Sequence, residues 1–561
     1  MRRFRCYLSA FLIFSLLTPR SGAGDADKDR PRLVVLLVFD QMRGDYPQRW
    51  QAQFGDKGFK RLAKEGAWFT NCHYPYAYTV TAAGHASLVT GCSPNKHGII
   101  GNEWYDRETK GIVTAIGNEK YRQLPEPDVD LPKDVKTLGV APDKRLQPSV
   151  ADALREATKG KSKIVSLSIK PRSASLMAAL LADLVYWFSE WTGGFCTSSF
   201  YREAPHDWVE RFNAKKPADH WFEKEWDRFR PSLDYSKLAG PDDAKGEESK
   251  ALGLGRTFPH PLTGSKKMIN ASYYNAIEAT PMGNELLYRF ALEAIEREKL
   301  GKHEAPDLLM VSFSSNDLCG HLYGPDSQEV FDMTLRTDAL IGDFLEHLDR
   351  AVGKGRYAVV VSADHGICPL PEVARKRGKE ADRLTNKALG LKTEAFLQKT
   401  FGPSERYFVE AFYSPWVYLD RRTLAELKIA PADAERKLAD FLAKERGMEA
   451  AFTRTELMKG MPKDKIGAMV WRSYYPDRSG DVVFVTKPYF FVSSYEAGTT
   501  HGSPWDYDTH VPLFAFGPGI RTGRFDEAVT PQAAAAILSH FLGVSRPSGA
   551  EAELPKALRG K

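Results

Sequence analysis

Runs of apolar, largely β-branched residues recur along this chain, and several end at a charged or polar side chain. Leu33-Val-Val-Leu-Leu-Val-Phe39 comes first and stops at Asp40. Lys163-Ile-Val-Ser-Leu-Ser168, Asp307-Leu-Leu-Met-Val-Ser-Phe313, Tyr357-Ala-Val-Val-Val361 and Leu513-Phe-Ala-Phe516 follow. Continuous rather than alternating apolar character marks strands buried on both faces of a parallel sheet. Helical patterns lie between them: 57–66 closed by glycine, 149–157, 284–299, a helix with Leu340, Ile341, Phe344, Leu345 and Leu348 on its core face, and 531–542. Residues 67–71 read as a short strand, 481–491 as strand-like, and 93–98 and 101–105 as loop. Strands alternating with helices predict an α/β fold, a doubly wound and mostly parallel central sheet with helices on both faces. The periodicity decays twice, over about 193–280 and about 369–478. Both stretches are expected to be inserted lobes near the active site.

The N-terminus carries a targeting pattern. A basic start, Met1-Arg-Arg-Phe-Arg5, precedes an apolar run from Cys6 to Leu17, then the small residues Ser21-Gly-Ala23. The run is too short to cross a bilayer, so 1–23 reads as a secretory signal peptide rather than a membrane span. That predicts a periplasmic or secreted protein. Lys+Arg (78) nearly balances Asp+Glu (72), and no basic stripe concentrates the net +6, so nucleic acid is not expected as an obligate partner. A few cations gathered in a pocket for an anionic substrate would account for the bias. Beyond the leader, Cys72, Cys92, Cys196, Cys319 and Cys368 are odd in number and unpaired in spacing, which argues against a disulfide scaffold.

Chemistry-bearing side chains collect just past the strand ends: Asp40, Lys170 and Arg172, Asp317 and His321, and Asp364 and His365. His501 stands in a Gly/Thr/Ser-rich loop. Carboxylates and imidazoles in this number suit zinc. Asp317 and His321 are four residues apart, so one helical turn would aim both at one point. Each taken singly is as well read as a helix cap or a satisfied buried imidazole, and only their joint placement argues for a site. In Thr79-Val-Thr-Ala-Ala-Gly-His-Ala-Ser-Leu-Val-Thr-Gly91 a hydroxyl precedes a helix-like segment, His85 to Val89, and small residues let the backbone crowd a ligand. A hydroxyl at a helix start sits beside free N–H groups and the positive end of the dipole, a place for an anion.

Asp40, Thr81-x-x-Gly-His85 with Thr90-Gly91, Asp317-x-x-x-His321, Asp364-His365-Gly366 and Thr500-His501-Gly502 resemble, in order over about 33–520, the metal and nucleophile motifs of the alkaline phosphatase superfamily. The resemblance implies a catalytic domain over 30–545 and two zinc ions. One would be held by Asp317, His321 and His501, the other by Asp40, Asp364, His365 and the oxygen of Thr81. It also implies Thr81 as nucleophile, standing four residues before His85, with Thr79 the alternative. Cys92-Ser-Pro-Asn-Lys96 approaches the sulfatase pattern but follows Thr90-Gly91 rather than preceding it and has Lys for Arg, so a sulfatase is rejected.

Within the superfamily, Thr81 and Asn102, some twenty residues on, are shared with nucleotide pyrophosphatase/phosphodiesterases. Lys170-Pro-Arg172 resembles instead the threonine-type bacterial alkaline phosphatases. A monoester phosphoryl carries one more anionic oxygen than a diester and rewards two extra cations, a planar fork and a point charge. The expectation is a phosphate monoesterase with a broad leaving-group range, acting on small-molecule phosphate monoesters. Catalysis would use Thr81, and Asn102, Lys170 and Arg172 would hold the phosphate. A phosphodiesterase on the same frame and a non-catalytic phosphate-binding protein are the alternatives.

Overall fold

The computed structural model describes residues 30–127, 138–248 and 251–559; the leader assigned to a signal peptide lies outside them. Leu33–Phe39, without one polar side chain, is buried along its whole length at the centre of the main sheet. It pairs in parallel with Asp307–Phe313 on one side and Tyr357–Ser362 on the other. Ile164–Ser168 and then Leu184–Ser189 extend the parallel set beyond Asp307–Phe313. Strands far apart in the chain lie side by side, so helices must cross over between them, as in a doubly wound sheet. Both flanks turn antiparallel. Leu513–Phe516 and Ala67–Phe69 continue one side to a parallel edge strand, Gly523–Phe525, and Gly194–Ser198 and Gly117–Leu124 continue the other to Leu138–Val140. Eleven strands among the described residues form this sheet.

Several elements differ from the pattern reading. The helix expected from His85 begins at Thr81 and runs to Thr90. Residues 101–105, read as loop, run into the strand Glu103–Asp106, paired with Gly111–Thr114. The pairing comes from a four-residue partner, Gly-Ile-Val-Thr, too short to stand out as a strand in the residue pattern. Pro94–His97 is a helical turn. Gly194–Ser198 lies inside the stretch expected to form the first lobe, yet it is wholly buried and belongs to the main sheet. The strand-like 481–491 splits into Val482–Thr486 and Phe490–Val492. Val482–Thr486 joins Val409–Tyr413, Trp416–Leu419 and Met448–Thr453 in a separate antiparallel sheet. That sheet packs its own core against the helices Asn386–Phe401 and Pro431–Leu442.

No helix among the described residues is long and apolar enough to cross a membrane. The five cysteines beyond the leader are all buried free thiols.

Candidate active site

Ligands of open α/β sheets bind outside the carboxyl ends of the strands. Four parallel strands deliver Asp40, Lys170, Asp317 and Asp364 to that edge within a few residues of their ends. Thr81 begins its helix at the same place, nearly buried at 1% exposure. Its run of small residues has a local cause. Gly84 lies against Asp364, so close that a Cβ there would stand 2.2 Å from the Asp364 carbonyl oxygen.

The predicted residues converge. Nε2 of His365 lies 3.4 Å from Thr81 Oγ1, 3.5 Å from Asp40 Oδ1 and 3.4 Å from Asp364 Oδ2. Asp317, His321 and His501 each present a ligand atom within 4.8 Å of the others, and so do Asp40, Asp317 and His365. Asp317 therefore borders both groups. The His365 and His501 rings stack at 3.6 Å between centroids.

The three imidazoles are oriented alike. Nδ1 of His321 bonds the Thr499 carbonyl, that of His365 the Gly366 carbonyl, and that of His501 the Thr79 carbonyl, at 2.8, 2.9 and 2.8 Å. A carbonyl can only accept, so each Nδ1 carries the proton and each Nε2 is left to accept or to ligate. Burial, then His365 and His321, push His501 well down, and burial likewise lowers His365, which favours neutral rings. Burial opposes the charge on His321, but Asp317 outweighs it and raises that ring.

Among the carboxylates, Asp40 Oδ1 and Asp364 Oδ2 are buried without a hydrogen-bond donor. Burial and the Asp364 charge raise Asp40 well above the usual carboxylate range. Burial would raise Asp317 too, but Lys170 outweighs it and holds that acid well down. His365 and His85 do the same against burial for Asp364. Orphaned acceptors crowded against imidazole nitrogens are costly unless a cation joins them. The donor set fits divalent metal.

Lys170 and Arg172 stand apart in behaviour. Lys170 caps the helix Pro171–Met177, and its ammonium bonds Asp40 Oδ2 at 2.8 Å and Asp317 Oδ2. It is thus engaged with the carboxylate cluster. Arg172 Nε is buried without a partner. Asn102 accepts from the N–H of Ala82, at 2.8 Å, which ties it to the first turn of the Thr81 helix. Two cavities meet at Asn102. One, of about 310 Å³, reaches His321 and His501; the other, of about 470 Å³, holds Arg172.

Thr79 resolves differently from Thr81. Its hydroxyl donates to the Ser503 carbonyl at 3.1 Å while its own carbonyl holds His501, so it is committed to the loop that carries His501. Sequence reasoning passed over Gln41 and Asn316. Gln41 donates through Nε2 to Asp317 Oδ1 (2.6 Å) and through its backbone N–H to Asp364 Oδ1 (3.0 Å) from a left-handed conformation, φ 68°. Asn316 Nδ2 holds the Asp40 carbonyl at 2.9 Å. Each adjoins a predicted ligand in the chain, and adjacency was the one available signal.

The sequence profile of the type I phosphodiesterase/nucleotide pyrophosphatase family matches residues 34–510. Alkaline phosphatase PhoV of Synechococcus elongatus is 33% identical over 93% of this chain and 91% of its own length. Alkaline phosphatase PafA of Elizabethkingia meningoseptica is 33% identical over 93% of each chain. A protein of Myroides odoratus named a calcium-transporting ATPase is 31% identical over 93% of each. The crystal structure of PafA superposes with a TM-score of 0.87 at 32% identity, covering 95% of this chain and 99% of that one. A PafA variant with a threonine changed to serine and an asparagine, a lysine and an arginine changed to alanine has a TM-score of 0.86 at 31% identity, over 95% and 99% of the two chains. In PafA the asparagine stands as far after the threonine, and the arginine after the lysine, as Asn102 after Thr81 and Arg172 after Lys170 here.

Proposed function

This chain belongs to the type I phosphodiesterase/nucleotide pyrophosphatase family, in the threonine-nucleophile branch of the alkaline phosphatase superfamily, and from that premise we propose that it hydrolyses phosphate monoesters through a phosphothreonine at Thr81. The observation that carries the reading is the nearly buried Thr81 hydroxyl, 3.4 Å from His365 Nε2, at the start of a helix and beside orphaned carboxylate oxygens. Asp317, His321 and His501 would hold one zinc ion, and Asp40, Asp364, His365 and Thr81 a second. Bound zinc lowers the pKa of a hydroxyl and stabilises charge building on phosphate oxygens.

The protein's own groups supply the rest. Free N–H groups at the start of the Thr81 helix favour an anion there. The Asn102 amide takes up one of those first-turn donors, the Ala82 N–H, through its oxygen and has its own N–H₂ left to donate to a phosphate oxygen. Arg172 brings the guanidinium whose Nε lacks a partner, and Lys170 adds positive charge from within the carboxylate cluster. These two cations favour the dianionic monoester. Relatives named as alkaline phosphatases support the same choice. The leader composition supports export to the periplasm or beyond.

The phosphodiesterase reading is favoured by the name of the matching family. Initial rates on an aryl phosphate and its methyl diester, with zinc content measured on the same sample, separate the two. About two zincs per chain with strong monoester preference is the expected result. Diester preference would remove the role given to Lys170 and Arg172. Neither activity in a zinc-loaded sample would favour a phosphate-binding protein.

A further inference from the structure

In a displacement in line at phosphorus, the entering and leaving oxygens lie on opposite sides. A phosphoryl group attacked by Thr81 must therefore point its leaving group away from Thr81. The two cavities that meet at Asn102 differ in this respect. The first is bordered by His321 and His501, and none of Thr81, Asp40, Lys170 or Arg172 lines it. The second holds Arg172 and Trp187 and none of the three ligand imidazoles. Resting on the monoesterase reading, we propose that the first cavity is the leaving-group subsite and that it selects uncharged aromatic groups of one or two rings.

Its walls carry the selectivity. Tyr78 and Trp416 meet edge to face, 6.4 Å between ring centroids, and Phe490, Phe491 and Val485 continue the surface. No lysine or arginine lines it. Its single carboxylate, Asp508, already accepts from the Ser503 N–H at 2.9 Å. Polar groups make up much of the exposed lining, so a flat ring gains here mainly from the aromatic edges and faces it can contact. A leaving group with charge on its far end loses hydration and meets no lysine or arginine along these walls. The volume of about 310 Å³ is at the small end of ligand sites, which suits one or two rings. Asn386 lies exposed on the rim.

The test uses the metal-loaded full chain and three esters of similar leaving ability: phenyl phosphate, 2-naphthyl phosphate, and phenyl phosphate bearing two ring carboxylates. The expected kcat/KM is highest for naphthyl and at least tenfold lower for the dicarboxylate than for phenyl. Phe491→Ala should remove the naphthyl advantage. Asn386→Lys, on the exposed rim, should raise the dicarboxylate relative to phenyl at least fivefold. Competitive inhibition by inorganic phosphate, read on the same samples, reports the phosphoryl site separately. If phosphate inhibits but ring charge and both substitutions leave the ratios unchanged, the subsite is overturned and the phosphatase reading stands. No turnover of any ester and no inhibition by phosphate would overturn the phosphatase reading and the subsite with it.

Discussion

Gly84→Ala probes how closely activity depends on the packing beneath the proposed nucleophile. Gly84 is buried in the first turns of Thr81–Thr90, directly over the segment that carries Asp364 and His365. An added Cβ would lie 2.2 Å from the Asp364 carbonyl oxygen and 2.6 Å from its Cβ. Non-bonded carbon contacts settle near 3.5–4.0 Å, so the helix and that segment must part by about 1 Å or more. Both atoms belong to ordered, buried elements, so no flexible side chain can swing aside. Overpacking of this kind costs about 1–3 kcal/mol, offset by up to about 1 kcal/mol because alanine is the better helix former. Stability should therefore fall only modestly. Catalysis should suffer more, because the Thr81 Oγ1 to His365 Nε2 separation of 3.4 Å spans this contact. A misplacement of about 1 Å costs on the order of a hundredfold. The assay is kcat/KM on an aryl phosphate, with melting temperature and zinc content on the same preparation. A variant within threefold of wild-type activity would refute the reasoning.

Other perturbations separate the roles of neighbouring groups. Thr81→Ala is expected to abolish monoester turnover, whereas Thr79→Ala, which loses only the bond to Ser503, should leave a reduced but measurable rate; comparable residual rates in both variants would contradict the assignment. Lys170→Ala and Arg172→Ala should each depress monoester kcat/KM far more than diester kcat/KM, and equal losses would count against their role. Lys170→Ala also leaves Asp40 and Asp317 without their buried cation, a loss of about 3–5 kcal/mol for a broken pair, so chelated protein should lose more urea resistance than zinc-loaded protein; equal losses in the two forms would refute the linkage. His97 is fully buried, its Nδ1 accepting from the Ile99 N–H at 3.1 Å, and burial, then Arg145 and Arg478, push it down to about 3. Its depressed folded pKa means that the unfolded chain binds this proton first, near 6.5. The stability it contributes is present above pH 6.5 and is lost from there down to about 3, at up to about 1.4 kcal/mol per pH unit. Urea titrations of chelated protein should show a shallower acid slope in His97→Gln, and parallel curves would be inconsistent with it.

Much of this arrangement can be read from residue pattern alone. Strands buried on both faces leave continuous apolar runs, and the carboxylates that close them mark the sheet edge where ligands bind. Asp40, Asp317 and Asp364 were visible for that reason. Leu184–Ser189 carries the same signal and was passed over beside the irregular stretch that follows it. Glu103–Asp106 was hidden for a different reason: its pairing depends on Gly111–Thr114, a partner only four residues long and partly exposed. The supporting contacts were least accessible. The Thr79 carbonyl holding His501 spans more than four hundred residues of chain, and a backbone acceptor leaves no mark in residue type. The engagement of Lys170 with Asp40 and Asp317 likewise follows from three-dimensional placement, since spacing shows only that a cation stands past a strand end.

The most direct test of a phosphothreonine at Thr81 is the stereochemical course at phosphorus, measured with a monoester made chiral by oxygen isotopes and an alcohol as phosphoryl acceptor. Two successive in-line displacements, first by Thr81 and then by the acceptor, predict net retention. Inversion would mean direct attack by the acceptor and would contradict the account.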